Sequence, residues 1–188
     1  MTNYSSNDFR ADMKIIFEGE PYKIESSEFV KPGKGQAFTR VKMRRILTGT
    51  RLEKTFKSTA FFKKADIIDL YMNYLYYDNN FYYFMHPITF EQYQINKKII
   101  SNKEIWLQDN VKYMITLWNK NPIFIQIPNF IKAKIINTHP NFKGDTIKNN
   151  NKLATLNTGF VIKVPLFIQI GEIIRIDTRN GEYISRVK

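Results

Sequence analysis

Cysteine is absent from the 188 residues, and histidine occurs only at His86 and His139. Without thiols the chain can form neither disulfide bonds nor thiolate metal sites. Two isolated histidines have no spacing typical of a zinc site. The sequence therefore predicts no metal and no cofactor, and both histidines are expected on the surface or in turns.

Long apolar runs are missing too. No run reaches the roughly 18–20 residues of a membrane-spanning helix, and the N-terminal stretch lacks the apolar segment of a signal peptide. We therefore expect a cytoplasmic protein with no membrane partner. Hydrophobic residues make up 43% of the chain and aromatic residues 15%, which is enough for a packed core.

Catalytic motifs are equally scarce. A Walker-type loop needs G-x-x-x-x-G-K-[ST], but Glu28 occupies the first glycine position and Gly35 follows Gly33-Lys34. Phe38 breaks the dinucleotide-binding pattern G-x-G-x-x-G. The sequence predicts a protein that is not an enzyme.

Positive charge is abundant and unevenly distributed. The formal net charge is +12. Residues 1–64 carry 14 basic against 7 acidic side chains, residues 65–128 carry 5 against 6, and residues 129–188 carry 10 against 4. A basic excess favours a polyanionic partner, although A/T-biased coding also enriches lysine. The uneven distribution is harder to attribute to coding bias.

Short apolar runs separated by turn residues predict an all-β fold. These turn and junction signals divide the chain into three small β-barrel domains at residues 1–64, 65–128 and 129–188. Residues 57–65 are interpreted as a junction. We also expect a short helix over residues 101–107 capped by Ser101, a loop over residues 139–152 and a strand over residues 166–170.

The stretch KPGKGQAF, residues 31–38, interrupts two predicted strands. Gly33 and Gly35 leave Lys34 without neighbouring Cβ atoms, and Pro32 stiffens the approach. A turn with an incidental charge, a nucleic-acid contact and a lysine presented to a partner all fit this pattern. The strand that follows alternates, with Arg40, Lys42 and Arg44 on one face and Arg51 nearby, which is suited to binding phosphates.

Longer motifs resemble bacterial translation elongation factor P. They are SEFVKPGKGQAF (27–38), RVKMRR (40–45), LTGTR (47–51), GDT (144–146), KLA (152–154) with Gly159, Ile162, Val164, Pro165, Ile168 and Gly171, and GEYISRVK (181–188). The resemblance spans the whole chain and is weaker over residues 60–127. It implies an N-terminal KOW/SH3-like barrel followed by two OB-fold barrels.

The resemblance also implies a function. Members of this family bind the 70S ribosome beside the peptidyl-tRNA and relieve stalling at consecutive prolines. The lysine matching Lys34 would be extended by lysine-modifying enzymes, through β-lysylation and sometimes hydroxylation. Pro32, Gly33 and Gly35 would then lie with it near the CCA end of the tRNA.

Further contacts follow from the same resemblance. Gly144, Asp145 and Thr146 would form a loop near the small subunit. The residues Arg40, Lys42, Arg44 and Arg51 would touch tRNA or ribosomal RNA, while Tyr183 and Arg186 would either face the ribosome or serve packing. The protein is expected to act as a monomer.

Two features depart from the family. Its members are usually acidic, and residues 147–152, IKNNNK, replace a glycine-rich loop. Two alternatives remain open. One is a related ribosome-binding factor that needs no modified lysine, and the other is a generic RNA-binding OB-fold protein.

Overall fold

The computed structural model describes residues 3–109, 111–138 and 151–187. Strands form most of this part of the chain, and helices are confined to a few short turns. The prediction of an all-β fold is therefore confirmed. Within the described residues, no helix is long and apolar enough to cross a membrane.

The N-terminal region contains six strands and one 3-10 turn, Ser6–Asp8. The strands are β1 (Asn3–Ser5), β2 (Lys14–Phe17), β3 (Glu20–Val30), β4 (Phe38–Arg45), β5 (Arg51–Lys57) and β6 (Phe61–Lys63). The second to fifth form an antiparallel sheet in chain order, while β1 pairs with β6. The β1–β6 pair falls partly in the predicted junction and was not expected from the sequence.

Tight turns set the register of this sheet. Glu18 and Gly19 join β2 to β3 with φ angles of 50° and 80°, the left-handed pair that two-residue hairpins favour. As a result Phe17 lies opposite Glu20. Alternate side chains of β3 and β4 then enter one core, in which Ile24 and Met43 are completely buried.

The middle region contains five strands and two short helical segments. They are β7 (Ile67–Asp78), β8 (Phe81–Met85), β9 (Gln92–Asn96), α1 (Lys97–Ile100), a 3-10 helix (Ser101–Trp106), β10 (Lys112–Trp118) and β11 (Asn121–Gln126). The sheet order is β11-β10-β7-β8-β9. Asn119 and Lys120 form the β10–β11 turn with positive φ angles.

The predicted short helix over residues 101–107 is present as the 3-10 helix Ser101–Trp106, but the predicted cap is wrong. Asn96 caps α1, because its side-chain oxygen accepts a hydrogen bond from the Lys98 amide at 2.9 Å. Ser101 has a φ angle of 53°; it is the C-cap of α1 and the first residue of the 3-10 helix, so it does not act as an N-cap. A left-handed serine cannot serve as an N-cap, whose backbone is extended.

The C-terminal region contains five strands in the order β14-β13-β12-β15-β16. Their bounds are β12 (Phe130–Thr138), β13 (Asn151–Leu156), β14 (Val161–Pro165), β15 (Ile173–Asp177) and β16 (Glu182–Arg186). Their core is aliphatic and includes Ile135, Leu156 and Ile174, all completely buried.

Two expectations for this region need correction. Residues 151 and 152 belong to β13 rather than to a loop, and residues 166–170 form turns instead of a strand. Only Ile168 of the second segment is buried, while Phe167 and Ile170 are 62% and 59% exposed. An apolar run forms a strand only where it finds partners, and Pro165 already ends β14.

The chain divides into two compact units. The first comprises residues 1–69 and 116–124, and the second comprises residues 70–115 and 125–188. The two boundaries expected from the sequence between three domains, after residues 64 and 128, stay a prediction.

Candidate functional site

The loop between β3 and β4 carries the sequence motif around Lys34. The last paired residues of the hairpin are Val30 and Phe38, which leaves residues 31–37 outside the ladder. Gly33, Lys34, Gly35 and Gln36 are all exposed. The structure thus has the bare loop tip that the sequence predicted.

The two glycines of the tip play different parts. Gly35 has a φ angle of +109°, a conformation that residues with a Cβ atom rarely adopt. Gly33 has no such angle, and a Cβ added there would meet nothing within 4 Å. Gly35 is therefore required by the backbone, whereas Gly33 keeps the surroundings of Lys34 open.

Lys34 is presented without a partner in the described residues. Its ammonium group makes no hydrogen bond or ion pair there, although the chain offers many carboxylates. The amine is consequently available to an external group, whether an enzyme that modifies it or an anion.

The base of the loop, in contrast, is held by several hydrogen bonds. The Ser58 amide donates to the Ala37 carbonyl at 3.2 Å, and the buried Ser6 hydroxyl donates to the Lys57 carbonyl at 2.8 Å. The Thr39 hydroxyl, also buried, donates to the Asn7 side chain at 3.3 Å. The last two bonds attach the 3-10 turn Ser6–Asp8 to β5 and to β4, the strand that follows the loop.

An aromatic cluster lies beneath this base. Phe56 packs against Phe62 with ring centroids 4.7 Å apart, and Phe9 lies 5.3 Å from Phe62. The cluster joins the core around Ile24 and Met43. Sequence reasoning missed the contributions of Ser6, Asn7 and Phe9, because they come from a polar N-terminal stretch without a strand pattern.

The predicted basic stripe lies along β4 as the alternation required. Arg40, Lys42 and Arg44 point away from the core, and the residues between them, Thr39, Val41 and Met43, are buried. Arg51 is directly opposite Arg44 in the ladder. The four side chains therefore share the outer face of the hairpin, which we call the N-terminal basic face.

Carboxylates lie within the N-terminal basic face. Arg40 lies 3.8 Å from both Glu28 and Glu53, which are on the neighbouring strands. Lys42 makes no ion pair with the described residues. The hairpin register explains these neighbours, but the linear sequence does not show them.

Glu25 neutralises much of the remaining charge of this face. It occupies a bulge in β3, accepts a hydrogen bond from Arg44 Nε at 2.7 Å and forms an ion pair with Arg51 Nε at 3.1 Å. Partial burial raises the pKa of the Glu25 carboxyl, but the bonds from both guanidinium groups outweigh it and hold the pKa below its usual value.

The other residues singled out by sequence do not belong to this loop. Tyr183 packs against the C-terminal core, and Arg186 forms an ion pair with Glu172 at 2.9 Å. Gly144, Asp145, Thr146 and His139 lie outside the described residues. His86 organises a turn, since its Nδ1 accepts hydrogen bonds from the amides of Ile88 and Thr89.

No group of three or more potential metal ligands occurs in residues 3–109, 111–138 and 151–187. The observed site is thus a cationic loop tip on a pinned hairpin. It can offer a positive charge and an exposed amine to a partner.

Comparisons with protein families cover nearly the whole chain. Residues 5–62 match the elongation factor P KOW-like domain, residues 68–125 match its OB domain, and residues 131–186 match its C-terminal domain. The N-terminal KOW-like and OB assignments agree with the barrels expected from the resemblance.

Similar proteins support the same assignment. Elongation factor P of Pectobacterium atrosepticum is 63% identical over 188 residues, which is the full length of both chains. Among solved structures, translation initiation factor 5A from Methanococcus jannaschii has a TM-score of 0.53 at 17% identity, covering 67% of this chain and 92% of its own. A protein of the same factor family from Naegleria fowleri has a TM-score of 0.54 at 10% identity, covering 66% and 97%. These distant structures share the fold, whereas the domain matches and the 63% identity establish the family: the chain belongs to the elongation factor P family of translation elongation factors.

Proposed function

We propose that the protein binds the ribosome beside the peptidyl-tRNA and stimulates peptide bond formation at consecutive prolines through Lys34. The observation that supports this role most directly is the Lys34 amine, which has no partner among the described residues and stands on a bare tip above a hydrogen-bonded base. A rigid base fixes where the tip points, and a slender tip can enter a narrow cleft.

The factor would act by positioning the groups that react on the ribosome. Proline restricts the chain and is a poor nucleophile, so the reacting groups on the ribosome are misaligned. A long cationic arm against the CCA end of the tRNA would restore their alignment and lower the entropic part of the barrier. Lys34 would form no bond with the substrates, so the factor would not itself be an enzyme.

Modification of Lys34 fits the geometry of the tip. The lysine-modifying enzymes must enclose the amine and the adjoining backbone, and the absence of Cβ atoms at Gly33 and Gly35 permits a close approach. A β-lysyl extension, with or without hydroxylation, would lengthen the arm and add a cationic group.

Other contacts in this proposal are secondary. Arg40, Lys42, Arg44 and Arg51 would approach tRNA or ribosomal RNA, with Lys42 the most available because it makes no ion pair with described residues. The segment from Gly144 to Thr146 would contact the small subunit. The factor would work as a monomer in the cytoplasm, where ribosomes translate.

The decisive test is replacement of Lys34 in a translation assay. Lys34→Ala should abolish the stimulation of a reporter with consecutive prolines, while a reporter without prolines is unaffected. Lys54→Ala is a matched control, since Lys54 is also exposed on the same domain but lies outside the loop. Full stimulation by the Lys34→Ala protein would overturn the proposal.

The modification is tested separately by mass spectrometry. The peptide containing Lys34, taken from protein purified from its native cells, should be heavier by one lysyl unit. An unmodified mass together with full activity would show that the bare lysine suffices and would remove the modification from the mechanism.

A further inference from the structure

The turn between β15 and β16 contains a pair of residues that can react with each other. Asp177 and Glu182 are the last partners of the ladder, which leaves residues 178–181 as a loop. Asn180 is exposed in this loop and precedes Gly181, and no other asparagine of the chain is followed by glycine. Asparagine is among the thermolabile residues. Because glycine has no Cβ atom, its backbone nitrogen can approach the neighbouring amide closely.

The reaction available to this pair is deamidation. The Gly181 backbone nitrogen attacks Cγ of the Asn180 side chain, and the new C–N bond closes a succinimide ring. The Cγ–Nδ2 bond breaks, and the side-chain nitrogen leaves as ammonia with the proton that the Gly181 nitrogen gives up. Water then opens the ring at either carbonyl and leaves an aspartate or an isoaspartate. The reaction needs only water as a co-reactant.

Packing fixes the glycine of this pair. Gly181 has a φ angle of +73°, which favours a residue without a Cβ atom. A Cβ atom added there would lie 3.2 Å from Cζ of Phe160 and 3.9 Å from the Trp106 ring. A larger residue would therefore strain the backbone and press against Phe160. The fold thus requires the residue that makes Asn180 reactive.

The folded turn restrains both reacting groups. The attacking Gly181 amide donates a hydrogen bond to the Asp177 carbonyl at 2.8 Å. The Asn180 side-chain amide donates to the Glu182 carboxylate at 2.6 Å, and its oxygen accepts a bond from the Glu182 backbone amide at 3.1 Å. The turn must therefore open before the Gly181 nitrogen can reach the Asn180 side chain.

The two ends of the loop differ in how firmly they are held. At the β15 end, the buried Asp177 carboxylate accepts hydrogen bonds from the Arg179 guanidinium at 2.9 and 2.5 Å. At the β16 end, Asn180 and Glu182 are both exposed, so water competes for the bonds between them. Segments whose hydrogen bonds are exposed to solvent open at low cost. Opening is therefore expected at the Asn180 end.

We propose that Asn180 deamidates spontaneously in the folded protein and that Glu182 sets the rate by restraining the turn. This inference does not depend on the proposed function. Deamidation replaces the donor of the Asn180–Glu182 bond by a second carboxylate, so the two side chains repel each other. An isoaspartate also lengthens the backbone ahead of Gly181 and displaces it from the Phe160 ring. The modified turn opens more readily than the original one.

The test follows deamidation by mass spectrometry while the full chain is incubated at mildly alkaline pH. Cleavage after lysine yields peptide 164–188, in which Asn180 is the only asparagine, and peptide 153–163, in which Asn157 is the only asparagine. Asn157 is the matched internal control, because it is also exposed in a turn of the C-terminal region but precedes Thr158. Fragmentation of the first peptide should place the mass change at residue 180, while the second peptide stays unchanged. Equal rates at both asparagines, or no change at Asn180, would overturn the proposal.

Two comparisons test the restraint by the turn. Glu182→Ala removes the acceptor of the Asn180 amide and should raise the rate about twofold to tenfold, the factor that corresponds to one net hydrogen bond. Glu182→Gln keeps an acceptor and should give a smaller increase, while Glu53→Ala, at an exposed position of the N-terminal region, should leave the rate unchanged. Circular dichroism should show that these variants are folded.

The second comparison uses the unchanged chain in urea, where Asn180 should deamidate faster than in the folded protein because no turn restrains it. This measurement keeps the inference testable even if Glu182→Ala does not fold. Equal rates in the folded and the unfolded chain would show that the turn imposes no restraint. An unchanged rate in folded Glu182→Ala would remove Glu182 from the control of the reaction.

Discussion

The base and the tip of the β3–β4 hairpin differ in burial and in hydrogen bonding. At the base, Ser6 and Thr39 are buried and hydrogen-bonded, and Met43, four residues farther along β4, is completely buried. At the tip, Gly33 and Lys34 contact little or nothing in the described residues. The comparison teaches that stability and proposed function reside on different residues of one hairpin. Substitutions at the base should destabilise, and those at the tip should leave stability intact.

Met43→Ala should produce the largest change. Removing a completely buried methionine side chain typically costs about 2–5 kcal/mol of unfolding free energy. Urea denaturation monitored by circular dichroism measures this loss, and Leu47→Ala, at a 43% exposed position, serves as the control with less than about 1 kcal/mol. Equal effects at both positions would mean that the base is not a packed core.

Ser6→Ala should also destabilise the base of the loop. It removes the hydrogen bond to the Lys57 carbonyl, which still accepts one from the Ala60 amide, so the expected cost is about 0.5–1.5 kcal/mol. Thr59→Ala removes an exposed hydroxyl two residues after Lys57 and should be near neutral in the same denaturation experiment. If the two variants unfold at the same urea concentration, the 3-10 turn does not hold the base of the loop.

Gly35→Ala should destabilise modestly, since its φ angle of +109° forces strain of about 1–3 kcal/mol on an alanine. Gly33→Ala is the matched control at the other side of Lys34 and should change stability by less than about 0.5 kcal/mol. Thermal unfolding of the two variants tests the difference. A larger loss for Gly33→Ala would show that the tip adopts another backbone conformation.

Lys34→Ala should cause the smallest change in stability, below about 0.5 kcal/mol, because the side chain makes no hydrogen bond or ion pair with described residues. The same substitution is expected to have the largest effect on proline-dependent translation. A measurable drop in Tm would reveal a structural role for Lys34 and would contradict the conclusion that the tip does not contribute to stability.

Much of the hairpin could be predicted from its sequence. The loop around Lys34 and the alternation of Arg40, Lys42 and Arg44 follow from local signals, namely glycines and a period of two. The carboxylates beside these arginines could not be predicted, because their positions depend on strand register and on the bulge at Glu25. Tertiary pairing, not local pattern, determines which charges meet.

Other features that were not predicted from the sequence have similar causes. β1 and β6 are only three residues long and each is stabilised by the other, so neither has a recognisable pattern alone. The segment 166–170 is apolar enough for a strand, yet most of it remains exposed. Ser101 fits a capping motif, but it ends α1 and is the first residue of the 3-10 helix, and the capping side chain belongs to Asn96 at the start of α1.

Trp106 offers a built-in optical reporter. It belongs to the 3-10 helix of the middle region, but it is only 6% exposed and packs into the C-terminal core, 4.8 Å from the Phe160 ring. The chain has two tryptophans, so Trp118→Phe would leave Trp106 as the single emitter. Its fluorescence would then shift to longer wavelength whenever the middle segment separates from the C-terminal strands, which makes the separation observable without any attached dye.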